Sequence, residues 1–136
     1  MREDILIKHL KNLTFANKEI KDAFLMDVDG LLIAVLDKNR DKQDIAARMA
    51  GVIDAAKRIE NKLPDAISVI TNENSIVAIP LSEKFLLVVL GTNGLNIHNL
   101  RKLVDKNKDN ILSMIEKREF NDLYTFNPTE IKGLDI

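Results

Sequence analysis

The chain contains no cysteine and no tryptophan, and only two histidines, three prolines and five glycines. Each shortage removes a class of chemistry. Without cysteine there are no disulfides, no thiol nucleophile and no cysteine-ligated zinc. His9 and His98 stand far apart in sequence, so they form neither a nucleophile–base pair nor an H-E-x-x-H ligand set, and no metal site is expected. An excess of one charge is also missing. With 20 Lys and Arg against 21 Asp and Glu, the net charge of −1 gives nucleic acid or an acidic membrane no electrostatic hold. The N-terminal MREDILIKHLKNL is too interrupted by charge for a secretory signal or a membrane span. A cytoplasmic protein without direct membrane insertion is therefore expected. Gly91 and Gly94 fit neither G-x-x-x-x-G-K-[ST] nor G-x-G-x-x-G, and no cofactor is expected.

What the chain does have is 136 residues, 46% of them hydrophobic and 30% charged. That is enough for one domain with its own core. Its organising stretch is Phe24 to Leu36, FLMDVDGLLIAVL, two apolar runs separated by Asp29-Gly30. An Asp-Gly step between hydrophobic segments marks a hairpin, because glycine accepts the positive φ of a tight turn. The same letters imitate the first motif of haloacid-dehalogenase-type phosphatases, with Asp27 as nucleophile and Asp29 as general acid/base. That reading is kept only as a remote alternative. The strand pattern resumes at Leu31 where such an enzyme needs a crossover helix, and no late acidic pair follows a strand to hold magnesium. An EF-hand fails as well, since the glycine falls two places early.

Residues 3 to 13 place Ile5, Leu6, His9, Leu10 and Leu13 on one helical stripe. Ile20 to Val28 and Leu31 to Leu36 lack polar alternation, as in a sheet covered on both faces. Asp41 opens a long helix to about Leu63, with Asp44 completing a cap-like pair and Ile45, Met49, Val52, Ile53, Ala56, Ile59 and Leu63 as its core stripe. Ala46 and Ala50 flank that stripe on one side, and Ala47, Gly51 and Ala55 on the other. Residues this small admit a close backbone neighbour, although alanine is also simply a good helix former. AISVIT (Ala66–Thr71), Ser75 to Leu81 and FLLVVL (Phe85–Leu90) follow as three strands. Gly91 to Gly94 breaks the chain, and Asn96 caps a closing helix with Ile97, Leu100, Leu103, Val104, Ile111, Met114 and Ile115 on one face. Residues 1–118 read as a single domain. The tail, 119–136, holds Phe120, Tyr124 and Phe126 and is expected to dock on its own domain or a partner.

A strand ending in Asp27-Val28-Asp29-Gly30-Leu31-Leu32, then the small-residue helix IAARMAGVIDAAKRI, then a meander closing in FLLVVL, resembles the Roadblock family of dynein-light-chain-like proteins. The resemblance covers about residues 1–118 and leaves out the tail. It implies an α+β sandwich, with a five-stranded antiparallel sheet in the order 2-1-5-4-3. The long middle helix would lie on one face and the terminal helices on the other. It also implies a non-catalytic homodimeric scaffold that regulates a Ras-like small GTPase. The dimer interface would comprise Ala47, Gly51 and Ala55 with the third-strand residues Ile67, Ser68, Val69 and Ile70. Arg48, Asp54, Lys57 and Arg58 would be available to the GTPase. The residue pattern alone does not choose the pairing edge, because LLIAVL is as apolar as AISVIT. A small-molecule or signal sensor of the same fold is the alternative, and it requires polar groups converging in a pocket between sheet and helix.

Overall fold

Strands without polar alternation need cover on both faces, and the sheet is built that way. The computed structural model describes residues 2–36 and 42–134, with side chains over 5–36 and 42–115. In chain order the elements are α1 (Arg2–Ala16), β1 (Ile20–Asp27), β2 (Leu32–Val35), α2 (Lys42–Glu60), β3 (Ile67–Ile70), β4 (Asn74–Pro80), β5 (Phe85–Thr92) and α3 (Ile97–Leu134). The five strands form one antiparallel sheet in the order β2-β1-β5-β4-β3, as the family resemblance implies.

Successive side chains along the central strands go to opposite layers. Ala23 and Leu25 of β1, Val77 and Ile79 of β4, and Leu87 and Val89 of β5 meet Leu6, Leu10 and Leu13 of α1 and Leu100, Val104, Ile111 and Ile115 of α3. Phe24, Met26, Ala78, Leu86 and Val88 point the other way, onto Ala46, Met49 and Ile53 of α2. Each large apolar side chain buried in this way contributes roughly 1.5–3 kcal/mol. The two layers together explain why these strands carry no polar face. Asn96 caps α3 as expected, its side-chain oxygen accepting the amide of Asn99 at 3.1 Å.

Several boundaries and faces differ from the sequence reading. α2 ends at Glu60 instead of Leu63, and Asn61 takes the positive φ of 60° that closes a helix C-terminus. Its buried stripe is Lys42, Ala46, Met49 and Ile53, while Val52 and Ile59, expected in the core, are 38% and 82% exposed. The β1–β2 hairpin packs close beside that stripe. Gly30, at φ +94°, lies so close to α2 that an added Cβ would stand 3.2 Å from the Ala47 Cα and 3.3 Å from the Ala50 Cβ. Gln43 Nε2 donates to the Gly30 carbonyl at 2.8 Å. The Ala50 methyl and the backbone of Ala46 and Ala47 thus lie against the chain's own hairpin, and Val52 and Ile59 fall outside the buried stripe.

β5 also runs two residues past the expected break. Gly91 stays in the strand because a side chain there would strike the Glu19 carbonyl, 2.7 Å from its Cβ position. The Thr92 amide donates to that same carbonyl at 2.9 Å. Ile5, expected on the α1 core stripe, is 44% exposed. The expected Asp41 cap lies outside the described residues. Helix α3 continues through the segment read as a tail, and the side chains of Phe120, Tyr124 and Phe126, with their expected docking, lie outside the described ones.

Candidate interaction surface

The hairpin that carries the phosphatase-like letters is held by its own carboxylate. Asp27 Oδ1 accepts the amides of Asp29 at 3.0 Å and Leu31 at 2.9 Å. The Asp27 amide donates to the Leu31 carbonyl at 2.9 Å, and Gly30 donates to the Asp27 carbonyl at 3.1 Å. Asp27 therefore acts as an Asx-type turn former, and Asp29 faces solvent. The next element is the antiparallel strand β2, where a phosphatase of that type has a crossover helix. Among the described residues no group of three or more acidic, His or Cys side chains could hold a metal ion.

Two features of the chain are left bare. β3 is hydrogen-bonded on one side only, to β4. Ser68, Val69 and Ile70 are exposed, with 41% of Val69 and 64% of Ile70 open to solvent. Ile67 and Val69, opposite Ala78 and Ile76, belong to the α2 face, while Ser68 and Ile70, opposite Val77 and Ser75, belong to the other. The Thr71 amide bonds the Asn74 carbonyl at 2.8 Å. Alternation along an antiparallel pair then directs the amides of Ser68 and Ile70 away from β4, toward the open edge.

The second bare feature is the outer face of α2. Ala47, Arg48, Gly51, Val52, Asp54, Ala55, Lys57, Arg58 and Ile59 are all exposed. A Cβ added to Gly51 would meet nothing within 4 Å. A groove of about 410 Å³ runs from Ala56 and Ile59 in the last turns of α2 past Leu63 and Pro64 to Ala66 and Ile67 at the start of β3. Of the residues expected at a dimer interface, Ala47, Gly51, Ala55, Ser68, Val69 and Ile70 are solvent-facing in the single chain and Ile67 is half-buried, with Ser68 and Ile70 on the sheet face away from α2. Sequence reasoning missed Val52 and Ile59 as members of that surface. Their apolar character assigned them to the core, and only their exposure in the folded chain reveals otherwise.

Of the four charges on α2, Arg58 and Asp54 pair with each other one turn apart at 3.1 Å, both largely exposed. Such a pair contributes little to stability. Arg48 and Lys57 form no ion pair among the described residues. The space between α2 and the sheet is filled by Phe24, Met26, Met49, Ile53, Leu86 and Val88, which leaves the converging polar pocket required by a sensor without a place at the centre of this layer. No described helix is long and apolar enough to cross a membrane.

Comparison with known proteins agrees with this geometry. The Roadblock/LC7 domain model matches residues 6–91. A Roadblock/LC7 domain from Streptomyces avermitilis superposes with a TM-score of 0.70 at 15% identity, over 79% of this chain and 94% of that one. The gliding protein MglB from Thermus thermophilus gives 0.71 at 13% identity, over 85% and 92%. Myxococcus xanthus MglB gives 0.65 at 24% identity, over 83% and 95%. At these identities the superpositions speak for the fold. No curated protein sequence matches the chain.

Proposed function

Because the chain belongs to the Roadblock/LC7 domain family, we propose that it is a non-catalytic homodimeric scaffold that binds and regulates a Ras-like small GTPase. The observation that carries this reading is a bare β3 edge in the same chain as a solvent-facing small-residue stripe on α2, with a groove from the end of α2 to Ile67 between them. An exposed apolar strand edge invites another strand. Gly51, which weakens a helix interior by roughly 1 kcal/mol relative to alanine, has no neighbour of its own to justify it. A second copy supplies both needs through an isologous contact, in which each patch meets itself. Ala47, Gly51 and Ala55 let the two α2 helices approach, Ile67 to Ile70 extend the sheet across the axis, and Val52 and Ile59 supply apolar area. Asp27 serves the turn in this scheme, with Oδ1 accepting two amides.

Pairing two α2 helices doubles the display of Arg48, Asp54, Lys57 and Arg58, and this is the surface offered to the GTPase. That step rests on family analogy. Its test is calorimetric titration of the purified full chain with Ras-like GTPases encoded by the same genome, each loaded with GDP or a non-hydrolysable GTP analogue. Binding that prefers one nucleotide state, and that is lost in Arg48→Glu/Arg58→Glu, is the expected result. Titration without heat for every GTPase in both states would remove the GTPase from the reading while leaving the dimer.

A further inference from the structure

Asp22 on β1 and Lys42 in the first turn of α2 form an ion pair sealed inside the molecule. Lys42 Nζ stands 2.5 Å from Asp22 Oδ2, with the two side chains 1% and 6% exposed. The contact is an ion pair without hydrogen-bond geometry, and neither atom has a hydrogen-bond partner among the described residues. The placement runs against simple electrostatics. A helix N-terminus favours anions, so a desolvated ammonium there is disfavoured both by burial and by the dipole. A buried pair of this kind is a poor stabiliser, and apolar side chains of similar volume usually serve stability as well or better. Its advantage over them is direction in the sense of placement: only one seating of α2 brings the two charges together, and any other leaves them buried and unpaired.

Direction is what the rest of the α2 seat lacks. Met26 and Met49 meet in that layer with Ile53, Phe24 and Leu86, and methionine adapts to shifted packing at little cost. Around Gly30 the nearest atoms of α2 belong to alanines, which carry no side-chain feature to key a position. Gln43 to the Gly30 carbonyl is the other directional contact, and it reaches a turn at the molecular surface. A slip of one residue along a helix turns its face by about 100°, enough to carry Gly51 and Ala55 off the outer side.

We infer that the Asp22–Lys42 pair is a register pin, fixing the rotation and axial position of α2 on the sheet and so deciding which side chains α2 turns outward. The consequence for self-association rests on the proposed dimer, but the pin itself is read from α2 alone. The test is the full chain carrying Asp22→Leu with Lys42→Met, followed by backbone amide NMR over Ala46–Lys57 and by sedimentation. The expected result is a melting temperature equal to or above wild type, with α2 amide signals broadened or doubled. Self-association should weaken about tenfold, equivalent to about 1.4 kcal/mol. The exchanged pair, Asp22→Lys with Lys42→Asp, should return a single sharp set of α2 signals. One sharp set at wild-type positions in the apolar variant overturns the pin. So does a large loss of melting temperature or failure to fold in that variant, because the pair is then a stabilising element and not a selector of register. Persistent heterogeneity in the exchanged variant overturns it as well. If wild type sediments as one chain while the apolar variant shows a heterogeneous α2, the pin stands and the dimer falls.

Discussion

The two margins of the sheet are made of similar letters and are treated in opposite ways. LLIAVL and AISVIT are both short, apolar and free of charge. β2, from the first, lies between helices. Ala34 is 2% exposed in the layer of α1 and α3, and Leu32 and Val35 pack with the α2 layer. β3, from the second, keeps Ser68, Val69 and Ile70 in solvent. Cover is therefore a property of topology. α2 starts beside the hairpin, where Gly30 seats it, and leaves its outer face and the far strand uncovered. One margin serves the fold, and the other is free to serve assembly.

The sharpest way to break this comparison is to place the same charge on both margins. Ala34→Asp buries a carboxylate in an apolar layer and should cost about 3 kcal/mol or more, lowering the melting temperature by about 10 °C. Val69→Asp should leave the circular dichroism spectrum of the folded chain intact and reduce its mass in light scattering from two chains to one. Equal damage to folding at both sites would erase the distinction. Next in size is Gly30→Ala, which puts a side chain at φ +94° and within 3.4 Å of α2. It should destabilise by about 1–3 kcal/mol in chemical denaturation. Stability within experimental error would show that the hairpin does not seat α2.

Gly51→Leu sharpens the comparison from the other side. Because nothing lies near its added side chain within the single chain, the isolated protomer should gain up to about 1 kcal/mol in helix propensity. The two-chain species should nevertheless disappear in light scattering, and retention of the two-chain mass would count against the paired helices. Ile59→Ser is the mildest change. At 82% exposure it should alter protomer stability by no more than about 0.5 kcal/mol while weakening association in a dilution series. A loss of several kcal/mol on folding would instead return Ile59 to the core.

The hairpin was legible because Asp29-Gly30 sits between two apolar runs, and the central strands because both their faces are apolar. The outward face of α2 was only half legible. Ala47, Gly51 and Ala55 announce themselves as small, but Val52 and Ile59 read as core, since the face α2 buries is set by packing against strands far away in sequence. Lys42 was invisible for a different reason. A charged side chain is assigned to the surface by default, and its partner Asp22 lies on another element. The choice between margins could not be read either, because β2 and β3 share one composition and differ only in what packs above them.

The absence of native cysteine makes a direct measurement of the pairing edge simple. A nitroxide on Ser68→Cys carries the only label in the chain, and adjacent strands lie about 4.8 Å apart. Edge-to-edge pairing of β3 predicts strong dipolar broadening of the frozen-solution spectrum, abolished by dilution with unlabelled protein. Sharp lines at every concentration, or broadening from a label on Ile33→Cys of β2 in place of Ser68, would contradict the account.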